Sequence, residues 1–467
     1  MKHSVRRFLP LALIAVIAFL SSCSGSKSGD SVISTIPADA RIVFHTDVDA
    51  LFKAAGAQFS DGGYALPESV TRLLARDESG TVEDVCIFLA DNASTLDLHD
   101  SFVFAYEKPR GITLTLPVTD RKALDAYLGK RAQPVNDFKP FGSVDALWMF
   151  GALKVAVSDG QLWLTGDPDD LAYSLDKAKE NHYGLLSTRR ELLEESADIT
   201  VIANQDSAPE SGFSHITVNF RPAAIAMSAD AYDAEGRNIT VEDKISVLST
   251  DFLRYAPEGS QLAFAIGQIS DWDSVEKAIA AASGVIPTDQ LMAVRMILPY
   301  LKSIDGTTSL SIAPAAGAQA LGSSLSAWDF TVMTHMPQSA TDQILSMIDT
   351  YATQAGISRT SDSEGNSCYR INDINLYVGA PDGYLAVSSR PLVGNANSSF
   401  TTDFLSKRLA WVIDIPYGSE TMKAIGLPWG VNIVSSVETN TAEAVLRLNG
   451  TSTAPLEAII DYVASLD

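Results

Sequence analysis

The sequence predicts an α+β protein with two tandem, similar copies of a mostly antiparallel sheet, each carrying helices on one face. Three observations predict it. Prolines recur together with their surroundings: Pro257 follows Pro37 by 220 positions, and Pro287 and Pro337 follow Pro67 and Pro117 at the same spacing. Asp159-Gly160 and Asp382-Gly383 each separate two short apolar runs, which is the signal of a tight antiparallel hairpin. The strands come in groups with helices between them, which points to α+β layers rather than a doubly wound sheet. A repeat this long means two whole domains, residues 35–240 and 241–467, rather than a solenoid.

The chain opens with a basic start (Lys2, His3, Arg6, Arg7) and an apolar core from Leu9 to Leu20, interrupted only by Pro10. Small residues and a cysteine follow. Residues 1–22 have the layout of a secretory signal and are short for a membrane span. The ending Leu20-Ser21-Ser22-Cys23 resembles the lipobox of bacterial lipoproteins. That resemblance implies cleavage before Cys23 and acylation of Cys23. Each buried methylene contributes about 0.8 kcal/mol, so two or more chains hold a protein stably at a bilayer. Residues 23–34 then read as the lipidated cysteine and a Ser/Gly-rich flexible tether. Surface-exported lipoproteins of Bacteroidota carry an acidic run after the cysteine. Here only Lys27 and then Asp30 follow, which favours an outer-membrane anchor facing the periplasm over the cell surface.

In the first copy, Ile36-Pro37-Ala38-Asp39-Ala40 leads into a strand at Arg41–Phe44, then the acidic turn Asp47-Val48-Asp49 and a helix at Ala50–Ala55. Pro67 opens a helix at Glu68–Ala75, and Val85–Leu89, with Cys86 inside it, reads as a buried strand. Ile112–Leu116 is a strand ended by Pro117, and Leu124, Tyr127 and Leu128 give helical spacing to Asp120–Lys130. A hairpin at Leu153–Leu164, a helix at Asp169–Lys179 and strands at 199–203, 216–220 and 223–231 complete the copy. A turn at Asp233–Arg237 and a helix reaching Leu253 join it to the second. There Gln261–Phe264, Ser274–Ala282, Thr288–Leu298, Val332–Met336, Ala340–Ala355, the hairpin at Leu376–Val387 and strands at 409–413, 431–437 and 442–448 match the first. Asp273 and Glu276 fit a helix start with reciprocal caps. Pro455–Leu466 is an amphipathic last helix.

The chain has 34 basic and 57 acidic residues, a net charge of −23. Such a body is repelled by nucleic acid and anionic membranes, so no nucleic-acid partner is expected. After acylation of Cys23, Cys86 and Cys368 remain; export permits a disulfide between them, but the apolar run around Cys86 reads better as holding a buried free cysteine. Catalytic patterns are missing from the sequence. It has no His-Glu-x-x-His, Cys-x-x-Cys, Gly-x-Ser-x-Gly or Gly-x-x-x-x-Gly-Lys, so no enzyme activity, catalytic residue, metal or cofactor is expected. His45 and His335, at strand ends, read as structural. The pairs Asp47/Asp49 and Asp271/Asp273 could hold a divalent cation, but their place before a helix reads better as capping and favourable charge. Around Gly236, Asp233, Glu235 and Glu242 partly match a calcium loop. Ala231 stands at the first ligand position, so a solvated turn is the better reading. Asp362–Ser367 is a polar loop. Trp429, between Pro428 and Gly430, is a candidate for a presented binding residue or a core plug. Ser31 and Ser207, each in Asp-Ser-small-apolar, resemble short O-glycosylation sequons of Bacteroidota; Ser274, at a helix start, fits less well.

The lipobox, the tether and the Ile-Pro-Ala-Asp-Ala start of the body resemble a family of Bacteroidota lipoproteins with no established activity. The expectation is therefore an envelope lipoprotein acting as a non-enzymatic binding or scaffolding module. Its partners would be the membrane, through its lipid, and an envelope protein or an apolar ligand. The alternatives are a carrier or chaperone of apolar molecules and a hydrolase of envelope glycans or peptides.

Overall fold

A computed structural model describes residues 40, 42–105, 112–135, 144, 146–179, 192, 197–204, 212–281, 298–315, 325–372, 374–394 and 400–466. Cys23, Ser31, Ser207 and most of the expected helix 288–298 lie outside the described residues. The chain divides into two compact units. One contains Met1–Ile239 and Thr451–Asp467, and the other Thr240–Gly450.

In the first unit the strands are β1 (Ile42–Thr46), β2 (Gln58–Ser60), β3 (Gly63–Ala65), β4 (Ser101–Ala105), β5 (Ile112–Pro117), β6 (Gln133–Pro134), β7 (Leu147–Phe150), β8 (Leu153–Ser158), β9 (Gln161–Thr165), β10 (Ile199–Asn204), β11 (Phe213–Arg221) and β12 (Ala224–Tyr232). Apart from the β2–β3 hairpin they form one antiparallel sheet, ordered β12-β11-β10-β1-β4-β5-β9-β8-β7-β6. Asp159 and Gly160 both have positive φ (51° and 79°), as the two central residues of the expected hairpin turn require.

The helices are α1 (Val48–Ala54), α2 (Glu68–Leu74), α3 (Thr81–Asp91), α4 (Arg121–Arg131) and α5 (Pro168–Lys179). Phe52, Phe88, Leu124 and Leu128 pack over Phe44, Val103, Leu114, Leu116 and Leu164 on one face of the sheet. The other face is also buried: Val43, Phe102, Phe104, Trp163 and Ile202 lie under Leu171 of α5. Helices on one face were expected. The strands instead carry apolar side chains at both parities, as in Phe102-Val103-Phe104, and such strands must be covered twice.

Two further expectations change. Val85–Leu89 lies within helix α3, so Cys86 is helical; burial pushes its thiol up to about 12. Cys86 and Cys368 are both free thiols. The last helix, Pro455–Ala464, belongs to the first unit, where Leu456 and Ile460 pack on Ala55 and Val70. Arg76 donates to the carbonyls of Val463 and Ala464 at 3.3 Å, so this helix does not close the second domain.

The second unit begins with irregular chain where a helix to Leu253 was expected. Only Asp251–Tyr255 is helical, as a 3-10 turn. Arg408 occupies carbonyls that a helix would need, donating to Glu242 O at 3.2 Å and Ile245 O at 2.5 Å. The strands are β13 (Leu262–Ile266), β14 (Thr308–Pro314), β15 (Trp328–His335), β16 (Arg359–Ser361), β17 (Ser367–Ile371), β18 (Ile374–Gly379), β19 (Tyr384–Ser388), β20 (Leu409–Ile415), β21 (Gly430–Val437) and β22 (Ala442–Asn449). Their antiparallel order is β22-β21-β20-β13-β14-β15-β19-β18-β17-β16. Strand for strand, this is the order of the first unit. Register agrees at the centre: Thr46 faces Ser101 and Ile199, while Ile266 faces Thr308 and Leu409.

The helices here are α6 (Trp272–Ala281), α7 (Gln338–Gln354), α8 (Thr401–Phe404) and α9 (Glu420–Ile425). Helix α6 starts at Trp272, so Asp273 sits inside its first turn and is not the cap. The main core joins Ala263, Ala265, Met333, Ala386 and Val412 to Phe252, Leu392 and Phe404. Helix α7 makes a second cluster, with Ala352 against Tyr369 and Val378.

Candidate functional site

In the first unit, strand β1 runs directly into α1, and Asp47 caps that helix by accepting from Ala50 N at 2.6 Å. Its other oxygen meets His99 Nδ1 at 2.8 Å. In the first turn of α1, Asp49 accepts from Lys53 Nζ at 2.6 Å and from the Tyr64 hydroxyl of β3. His99 Nε2 lies 3.9 Å from Asp49. Asp47, Asp49 and His99 thus bring three donor atoms within 4.8 Å of one another, the one such cluster among the described residues. Both carboxylates are already engaged at each oxygen by groups of the protein, which agrees with the capping role read from the sequence.

These contacts shift the titrations. Burial works against protonated His99, but its bond to Asp47 and the charges of Asp47, Asp49 and Asp97 outweigh it and raise its pKa. Burial likewise opposes ionised Asp49, yet the Lys53 and Tyr64 hydrogen bonds hold it below the usual carboxylate range. Burial first, and then Asp49, push the Tyr64 phenol up. Asp49 and His99 of the cluster line an open cleft of about 590 Å³, together with Leu96, Leu98 and Phe59. Phe59, on the β2–β3 hairpin, is 56% exposed and meets Tyr64 edge-on at 5.2 Å between ring centres. Below this, His45 pairs with Asp100 at 3.0 Å and stacks on Phe102, with both partners buried.

The larger cleft, about 760 Å³, lies in the second unit between α7, the β16–β17 turn and the loops around residues 380 and 393. Of the charged residues that line it, Asp349 and Arg359 pair with each other, and Glu364 stands exposed on the β16–β17 turn. Arg359 Nη1 meets Asp349 at 2.8 Å and its Nε meets Ser367 Oγ at 3.1 Å, while the Tyr369 hydroxyl donates to Asp349 at 3.3 Å. Arg254 and the Tyr255 hydroxyl meet Asp382 Oδ2 at 3.1 and 2.8 Å. Asp362 accepts from the Asn366 amide at 3.0 Å and from the backbone N–H of Glu364 and Asn366. The polar loop read from the sequence is therefore one wall of this cleft.

The remaining candidates fall elsewhere. Trp429 is half-buried in the bend before β21 and lines neither cleft. In the calcium-like turn, Arg237 pairs with Asp233 and Glu235, both at 2.8 Å. His335 pairs with Asp305 at 2.7 Å. Sequence reasoning found Asp47 and Asp49 but missed His99, Tyr64, Asp349 and Arg359, which no local motif marks.

No protein-family model and no curated protein matches the chain. Among solved structures, two crystal forms of TP0453, IV and III, align with TM-scores of 0.25 and 0.23 at 12% identity. They cover 48% and 46% of this chain and 98% and 99% of TP0453. Similarity at that level carries no argument about either protein. No helix among the described residues is long and apolar enough to cross a membrane.

Proposed function

We propose that the chain is a lipid-anchored lipoprotein of the cell envelope that acts as a non-enzymatic binding module, built from two copies of one sheet domain. The shared strand order and central register support the duplication. The sequence around Cys23 supports the anchor, on the periplasmic side of the outer membrane. The observation that carries the binding role is that each unit opens a cleft lined by a prearranged polar network, Asp49 with Lys53 and Tyr64 in one and Asp349 with Arg359 and Tyr369 in the other. Prearranged polar groups recognise a partner at lower ordering cost than mobile ones. Hydrolysis is the weaker reading, because Asp49 and Asp349, on the walls of the two clefts, are each tied to a cation and a phenol. Carriage of apolar molecules fits the polar second cleft poorly, since a buried polar wall left unpaired is unfavourable.

The test is photo-crosslinking in cells with the full-length protein, placing the crosslinker at Phe59 and, separately, at Val393. A discrete adduct from either position supports the reading. Absence of adducts from both, with the protein present at its normal level, sinks it. Cys23→Ala should move the protein from the membrane to the soluble fraction; unchanged membrane retention removes the lipid anchor from the proposal.

A further inference from the structure

We infer that the cleft of the second unit takes a neutral, hydroxyl-rich ligand, namely an oligosaccharide. This rests on the reading of the chain as a binding module and adds the chemical class of what it binds. Charge balance is the first argument. Of the charged residues that line the cleft, Arg359 is matched by Asp349 at 2.8 Å and Glu364 adds an exposed carboxylate, while Arg254 and Asp382 pair at 3.1 Å beside Tyr255. An anion entering here meets the carboxylates of Asp349 and Glu364 and must compete for Arg359, and a neutral ligand, whose hydroxyls can donate to those carboxylates, need not.

The second argument is the pattern of groups that remains. Arg359 has N–H donors to spare beyond its ion pair, and Ser346 stands on the same wall, as do Ser367 and Asn366, whose hydroxyl and amide already meet Arg359 and Asp362. Leu345, Leu392 and Val393 supply apolar surface, with Val393 57% exposed. Hydroxyls for polar groups and C–H faces for apolar ones are what a sugar presents. A purely apolar ligand would strip water from the polar wall without replacing its hydrogen bonds. A peptide adding to a sheet needs a run of free strand backbone. Of the edge strand β16, only Arg359 lines this cleft. Its volume of about 760 Å³ falls within the range of small-ligand sites.

The test is calorimetric titration of the full-length chain in detergent with maltotetraose, cellotetraose and the N-acetylglucosamine tetramer. A charged galacturonate tetramer and the peptide Gly-Ser-Gly-Ser serve as comparisons. A neutral tetrasaccharide should bind at least tenfold more tightly than either comparison. Gly394→Phe should weaken that binding at least tenfold, because a Cβ at Gly394 meets nothing nearer than Arg254 Nη2 at 3.5 Å, so the new ring fills the cleft without strain. Arg359→Leu should weaken it as well, while Phe59→Ala, in the other unit, leaves it unchanged. A melting curve shows whether each variant is folded. If no neutral saccharide binds the folded wild-type chain, or if Gly394→Phe leaves binding intact, the inference is overturned. If only the peptide binds, the ligand class is wrong. In either case, crosslinks formed in cells from Phe59 or Val393 would leave the binding-module reading standing, and their absence from both positions would remove that reading as well.

Discussion

The two units follow one strand order and fill their cores in opposite ways. In the first, the large side chains stand on the sheet: Phe102, Phe104 and Trp163 are fully or almost fully buried there. In the second, the matching central strands carry Ala263, Ala265, Ala386 and Ala410, and the bulk comes from the covering segments as Phe252 and Phe404, edge to face at 5.6 Å. Close packing fixes the summed volume between sheet and cover. It does not fix which side supplies that volume. The central polar pair differs in the same manner. His45 and Asp100 are buried in the first unit, and the register places Ala265 and Thr307 at the same points in the second.

The largest expected effects test that exchange of bulk. Trp163→Ala should cost about 3–5 kcal/mol, as should Phe404→Ala. In scanning calorimetry each should lower the transition of its own unit first; equal shifts of both transitions would mean that the units do not melt separately. Next comes the buried pair. Asp100→Ala leaves a buried imidazole nitrogen without its carboxylate, at a cost of about 1–3 kcal/mol by chemical denaturation. Installing the second unit's residues together, His45→Ala with Asp100→Thr, should recover part of that loss. A double variant less stable than Asp100→Ala alone would break the correspondence.

Asp47→Ala removes the cap of α1 and should cost about 0.5–2 kcal/mol, with no counterpart expected from Asp273→Ala, whose residue is not a cap.

The smallest effect is that of pH on the Asp49–His99 cluster. His99 has a raised pKa, so its contribution is full below its ordinary value of 6.5 and is lost as pH rises through the folded value. Asp49 has a lowered pKa, so its contribution is full above 3.8 and is lost as pH falls through the folded value. Wild-type stability should exceed that of His99→Gln by the largest margin between about pH 4 and 6.5, a margin kept small by solvent because His99 is half-exposed. A margin that grows above pH 8 would reverse the assignment.

Much of the fold was legible along the chain. Period-two runs, Asp-Gly turns and recurring prolines marked most strands of both units, because strand alternation and turn backbone are local properties. Val85–Leu89 misled because a short apolar run has no distinguishing period; only its length within Thr81–Asp91 and its packing on the sheet make it a helix. The site was legible only in part. Asp47 and Asp49 stood out by spacing, whereas His99 and Tyr64 reach them through sheet closure.

Local chemistry thus settles what many stretches can be: hairpin, capped helix, apolar strand. Which stretches meet is a matter of long-range packing. The helix Pro455–Ala464 shows its apolar stripe in any sequence plot, yet its place in the first unit follows only because Ala55 and Val70 offer the surface that buries Leu456 and Ile460. Arg359 and Asp349, ten positions apart, become one wall of a cleft because β16 and α7 fold back beside each other. Burial and hydrogen bonding are satisfied by neighbours in space, and the order of residues along the chain only sets which neighbours are available.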